Sequence, residues 1–374
     1  MPSLAWQNIF HDKVRFAVTI TGIVFSIVLI VVLMGLFIGF NVSISSCIDN
    51  AGADIWITAN KVPYLEVGTP FSERKRYKAL ATKGVASVEK YITRFCLWKK
   101  PDGGIDQIQV IGYNPDAKLG SPWNIVEGYG QLVKAPDSII VDRFYCKKLG
   151  ISHVGQVVEI NGHRARIVGF TENIISFTTA PYVFTSFKNA QNYMNLPEDQ
   201  TLYLLVKAEP GVDIKKLKEL LRQQISTVDV LTANEFSSMT RFYWLFTTGA
   251  GITVLIGAIM GLVVGIVVVT QTIYATTMDH LREFGTLKAI GASNGYIYKV
   301  IIQQAVISAV IGYSIGIVAS HIVVSLSGSG GATILAPLSL DIAMFFVTLA
   351  MCIGASVVSI RKVTYLDPAM VFKG

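Results

Sequence analysis

Four stretches without a single Asp, Glu, Lys or Arg constrain this chain more than anything else in it: Phe16–Ile48, Phe242–Met278, Val300–Leu340 and Ile342–Ile360. About 20 apolar residues cross a bilayer core, so each run is long enough to hold one membrane helix. The third run is too long for one helix and too short for two, and its SLSGSGGA segment, 325–332, reads as the turn where the chain surfaces. Over 374 residues only 15% are charged, against about 25% in a typical soluble domain, and the deficit is concentrated in these runs. The sequence therefore predicts an α-helical membrane protein with four transmembrane helices, at 16–40, 242–269, 300–325 and 341–360. The segment 41–241 is left to form a separate domain.

Basic residues beside the spans set the orientation. Lys13, Arg15, Arg282, Lys288, Lys299, Arg361, Lys362 and Lys373 lie in the N-terminus, the 270–299 loop and the 361–374 tail, whereas the 326–340 loop has no Lys or Arg. Both termini and the central loop are expected in the cytoplasm, with 41–241 outside. The net charge of +7 is then partly a topology signal. Dispersed basic residues without an interleaved aromatic patch give no case for nucleic acid. Cys47, Cys96 and Cys146 are an odd set outside, which leaves one bridge among them or free thiols equally open.

Residues 1–15 read as an interfacial amphipathic helix. Ala5, Trp6, Ile9, Phe10 and Val14 share one side, and Gln7, Asn8, His11 and Asp12 the other. The apolar run that follows is too long for a signal peptide and no A-x-A site follows it. Small residues recur four apart within the spans: Gly22/Ser26, Gly35/Gly39, Gly257/Gly261/Gly265 and Ser308/Gly312/Gly316/Ser320. Such ridges let helix backbones approach in lipid, within one subunit or between two. His321 is the only titratable residue inside a run and is expected at the interface; neither ion coupling nor a pore is supported.

The outer segment reads as an α+β domain. Strands are expected at 53–59, 86–99, 105–113, 182–185 and 201–206, and helices at 72–82, 213–224 and 233–242. Within 138–170 the pattern is strand, short helix Asp142–Leu149, then a hairpin turning at Asn161-Gly162.

The loop 270–299 holds a compact string, Leu281-Arg282-Glu283-Phe284-Gly285-Thr286-Leu287-Lys288-Ala289-Ile290-Gly291-Ala292. Leu281, Phe284, Leu287 and Ile290 recur every three residues with charges between them, and Gly291 supplies a stop. This predicts a short amphipathic helix. A plain connector between spans has no use for such an apolar stripe, so a docking element is expected. The string closely resembles the coupling loop of FtsX-like (MacB-type) permease subunits of ABC transporters. Further resemblance lies in Ala5-Trp6 with Ile9; in Thr19, Gly22, Ile23 and Ser26; and in Leu366-Asp367-Pro368-Ala369. The outer segment resembles the MacB-type porter-like lobe with a smaller inserted β-rich lobe, here at about 114–170, and Ser176–Pro181 resembles the DevC branch.

The resemblance implies a permease of the bacterial inner membrane. In that family the 281–292 helix docks on an ATPase, and the permease is a homodimer with two ATPase copies that use ATP and Mg. Gly257, Gly261 and Gly265 would then contribute to helix packing or the dimer. The implied activity is mechanotransmission that drives export of a hydrophobic or amphiphilic substrate, with a periplasmic adaptor and an outer-membrane duct. Regulation of an outer enzyme, as in FtsX, and Lol-type lipoprotein release are alternatives. No phosphate-binding G-x-x-x-x-G-K-(S/T) loop, H-E-x-x-H or C-x-x-C occurs, so no catalysis, metal or bound cofactor is expected of the chain itself. Gly291-Ala292-Ser293-Asn294-Gly295 fits a nucleophile-elbow pattern, but the expected 281–290 helix precedes it where a strand is required.

Overall fold

The computed structural model describes residues 13–178, 180–327 and 334–364. The expected N-terminal helix, the 328–332 part of the surface turn and the closing Leu366–Ala369 motif lie outside those residues. Two compact units form, one from 1–39 with 252–374 and one from 40–251.

The first unit contains helices Lys13–Ile44, Ala250–Asp279, Asn294–Ser327 and Leu338–Thr364, and each contains a segment long and apolar enough to cross a membrane. In lipid the apolar effect does not drive helices together, so close steric fit must. The first helix supplies that fit for two neighbours. Ile23 and Ile27 lie against Gly312 and Gly316 of the third helix, where an added Cβ would come within 2.6 and 2.9 Å of them. Leu29 and Leu33 cover Gly261, and Ser26, Ile30 and Met351 close on Gly265. Of the ridge Gly257/Gly261/Gly265, expected in helix packing or the dimer, Gly261 and Gly265 pack closely against the first helix, and Gly257 has only Leu33 at 3.9 Å. Gly35 completes the hub: its carbonyl accepts the Leu335 amide at 3.0 Å.

The second span starts and ends later than 242–269. A π turn at Tyr243–Thr247 and Gly249 (φ +76°) separate it from the preceding helix. It then continues to Asp279 through residues first assigned to the loop. Polar side chains are tolerated there because they bond back along the helix: Thr276 Oγ1 donates to the Thr272 carbonyl at 3.0 Å and Thr277 Oγ1 to Ile273 at 2.8 Å. The third span likewise starts at Asn294 and not 300. His321 is not a lone interfacial residue, since its Nε2 lies 3.1 Å from Oδ2 of Asp341 on the fourth helix.

The second unit is built on twelve strands: β1 Ile55–Ala59, β2 Phe71–Ser72, β3 Val85–Lys99, β4 Ile105–Tyr113, β5 Ile125–Glu127, β6 Ser138–Asp142, β7 Val157–Ile160, β8 His163–Thr171, β9 Tyr182–Ser186, β10 Gln200–Thr201, β11 Tyr203–Ala208 and β12 Val228–Thr232. Ten of them make one sheet, running β12-β1-β11-β3-β4-β9-β6-β8-β5, with β7 joined to β3 and β8. The long β3 serves both lobes. Its first half, Val85–Tyr91, pairs with β11, and its second half, Ile92–Lys99, pairs with β4. In the larger lobe Trp56 is fully buried, with Tyr91, Tyr203 and Phe236 rings at 5.3–5.7 Å. Helix Ile214–Gln224 is started by Asp213, and Ala233–Phe242 by a Thr232/Glu235 capping box.

The smaller lobe is a closed ring, β3-β4-β9-β6-β8-β7 and back to β3 through Trp98↔Ile160. The expected 114–170 insert is therefore too short. The ring opens at Ile92 and closes with β9, because β9 pairs in parallel with β4. Asn161 (φ 48°) and Gly162 (φ 82°) make the expected hairpin turn. All four cysteines are free, with Cys47, Cys96 and Cys352 buried.

The glycine seam yields a test. Gly312→Leu should lower the unfolding temperature of the purified protein by several degrees, reflecting a packing cost of about 1–3 kcal/mol. Gly354→Leu, whose Cβ meets nothing within 4 Å, should leave it unchanged in the same thermal melt.

Candidate functional site

The loop between the second and third spans contracts to a nine-residue helix, Leu281–Ala289, with tight corners at both ends. At the entry, the amide of His280 donates to the Thr276 carbonyl at 3.3 Å. Its side chain is 8% exposed, with Nδ1 3.0 Å from Oε1 of Glu283. Sequence reasoning passed over His280, although a His three residues before a Glu is the spacing that brings two helical side chains together.

The exit is a Schellman motif. Ala292 N–H donates to the Leu287 carbonyl at 2.9 Å and Gly291 N–H to Lys288 at 3.0 Å, with Gly291 left-handed at φ +99°. Ser293 then starts the third span, its Oγ accepting the Tyr296 amide at 3.3 Å. The G-x-S-x-G string is thus a helix stop followed by a helix start.

The expected docking residues divide into two sets. Leu287 turns inward, half-buried against a cluster of Ile297, Val300, Ile301 and Ile360. It anchors the helix to its own spans. Gly285 is buried and Lys288 and Ala292 are half-buried. Ile290 faces outward at 80% exposure, the highest of any large apolar side chain among the described residues. The Glu283 side chain is 51% exposed. Leu281, Arg282, Phe284 and Ala289 lie on the helix, and their side chains are outside the description. The outcome is a helix capped at its exit and anchored by Leu287, with the Glu283 and Ile290 side chains exposed to solvent.

Comparison with known proteins agrees with this architecture. Residues 16–224 match the MacB-like periplasmic core domain, and residues 255–368 match the FtsX-like permease C-terminal domain. The chain belongs to the MacB/FtsX-like family of permeases. It is 23% identical over 376 residues to an uncharacterised ABC transporter permease of Mycobacterium tuberculosis, covering 99% of both chains. It is 25% identical over 365 residues to one of Mycobacterium bovis, covering 97% of this chain and 96% of that one. The periplasmic region of MacB from Actinobacillus actinomycetemcomitans aligns with a TM-score of 0.39 at 11% identity, over 51% of this chain and 94% of that one.

Separate anchor and presenting residues predict separable effects. Leu287→Ala should loosen the helix, raising hydrogen exchange at 285–292 and costing about 1–2 kcal/mol for a half-buried side chain. Gly291→Ala should cost about 1 kcal/mol from the left-handed backbone alone, since nothing lies within 4 Å of its Cβ. Ile290→Ala should leave exchange in this segment unchanged.

Proposed function

We propose that the chain is the membrane-spanning subunit of an ABC transporter and that the helix Leu281–Ala289 docks on a separate ATPase. The observation that carries this reading is the outward Ile290 on a helix fixed at both ends. An apolar side chain of that exposure gains by entering a groove, which removes its area from water. Glu283 on the same free face supplies a charge for recognition, and Arg282 completes the set expected from sequence. Leu287 contributes from behind, by holding the helix against the cluster of Ile297, Val300 and Ile301. With the loop in the cytoplasm, both termini lie there too, and residues 40–251 form the domain outside the inner membrane.

In this reading two copies of the chain pair with two ATPases that use ATP and Mg. Closure of the ATPases pushes the 281–289 helix, and the spans pass the movement to the outer domain. A two-state element biased at one end needs stiff transmission to report at the other. The close contacts of the first helix with the second and third supply that stiffness. Export of a hydrophobic or amphiphilic substrate, with a periplasmic adaptor and an outer-membrane duct, is the activity we assign to this cycle.

The test is co-purification with the candidate ATPase in nanodiscs, followed by assay of ATP turnover. Ile290→Asp and Glu283→Lys should each lower ATPase stimulation by about tenfold, the equivalent of about 1.4 kcal/mol of lost contact, without changing the thermal melt of the permease. Unchanged stimulation in both variants contradicts the docking role.

A further inference from the structure

Where the chain leaves the outer domain it makes the π turn Tyr243–Thr247. A π turn is intrinsically poor, is held by its surroundings, and recurs at functional sites. Here the surroundings are rings. Tyr243 stacks on Tyr64 with centroids 4.1 Å apart, and Trp244 meets Tyr64 at 5.3 Å and Phe177 at 4.9 Å. Phe177 in turn meets Phe40 at 5.8 Å. This clasp gathers the segment through which the chain enters the outer domain and the segment through which it leaves.

A carboxyl group lies inside the clasp. Glu66 is 7% exposed; its Oε2 accepts the Trp244 indole N–H at 3.2 Å, and its Oε1 is buried without a hydrogen-bond partner. The titratable groups that act on it or feel it are Cys47, Tyr64, Tyr91, Tyr182 and Tyr203, with Tyr243 beside Tyr64 and Asp49 beside Cys47. None of these is a cation. The Trp244 indole and the Glu66 backbone N–H favour the ionised form but are neutral donors outweighed by burial, and with no counter-charge the ionised group must draw in water or move. Burial pushes the Glu66 carboxyl up to about 7. Because this value is raised above that of the unfolded chain, the native form binds the proton more tightly. The stabilisation is complete at acid pH and lost as pH rises from the ordinary carboxylate value through about 7.

We propose that Glu66 is a proton-controlled latch on this exit segment: neutral, it keeps Trp244 in the ring clasp and the π turn formed, and ionised, it admits water and loosens the turn. The latch rests on the geometry of the outer domain alone and does not depend on the ATPase partnership. It places a proton-sensitive control on the segment by which the chain leaves the outer domain.

The test uses the full chain in nanodiscs and acrylamide quenching of tryptophan fluorescence between about pH 5.5 and 8.5, a range that brackets the transition. Subtracting the signal of Trp244→Phe isolates Trp244 from the other four tryptophans, five in all. The quenching constant of Trp244 should rise about twofold with pH in the wild type, with a midpoint near neutrality. In Glu66→Gln it should stay at the acid level throughout. A second measurement needs no variant: hydrogen exchange at 243–248, corrected for its intrinsic pH dependence, should accelerate across the same range while 233–242 does not. A flat wild-type profile in both measurements, or the same pH response in Glu66→Gln, overturns the proposal.

Discussion

Ile23 and Ile27 of the first helix, seated on Gly312 and Gly316 of the third, make the contact on which the membrane unit depends. In water such a pair would add one more apolar contact to many. In lipid, where the surrounding chains are as apolar as isoleucine, close approach is the source of affinity. The same helix uses Leu29, Leu33 and Ser26 to close on Gly261 and Gly265 of the second. Its central place brings small residues of two other helices, Gly261 and Gly265 of the second and Gly312 and Gly316 of the third, against its side chains.

The loop helix inherits its rigidity from this arrangement. Leu287 ties it to the third and fourth helices through Val300, Ile301 and Ile360. The Schellman cap at Gly291 and the Ser293 start leave few free residues between loop helix and span. In the proposed docking role, such mounting would let a push on the exposed Glu283 and Ile290 reach the spans without being absorbed by bending. In the outer unit β3 has a comparable role. One strand running from the larger lobe into the closed ring couples the two lobes through the backbone.

Much of this was legible from sequence wherever one physical rule dominated. Charge-free runs located the spans, Asn161-Gly162 marked its hairpin, and Gly291 marked the helix stop. Span boundaries were less legible, because threonines at 272, 276 and 277 satisfy their hydroxyls within the helix and so look like loop while behaving as span. The ring escaped pattern reading for another reason. Closure rests on the pairing of Trp98 with Ile160 and of β4 with β9, and such long-range partners leave no local signal. Periodicity made Leu287 and Ile290 look alike, as two members of one stripe. Only the packing of Ile297 and Ile360 beneath the helix tells the anchor from the presenting residue.

The central claim, that the face carrying Ile290 meets an ATPase, is tested most directly by photo-crosslinking in intact membranes. A photoreactive residue placed at position 290 is predicted to capture a protein bearing a phosphate-binding loop, whereas the same probe at the inward position 287 captures little. Equal capture at both positions, or capture at 290 of no nucleotide-binding protein, would contradict the account.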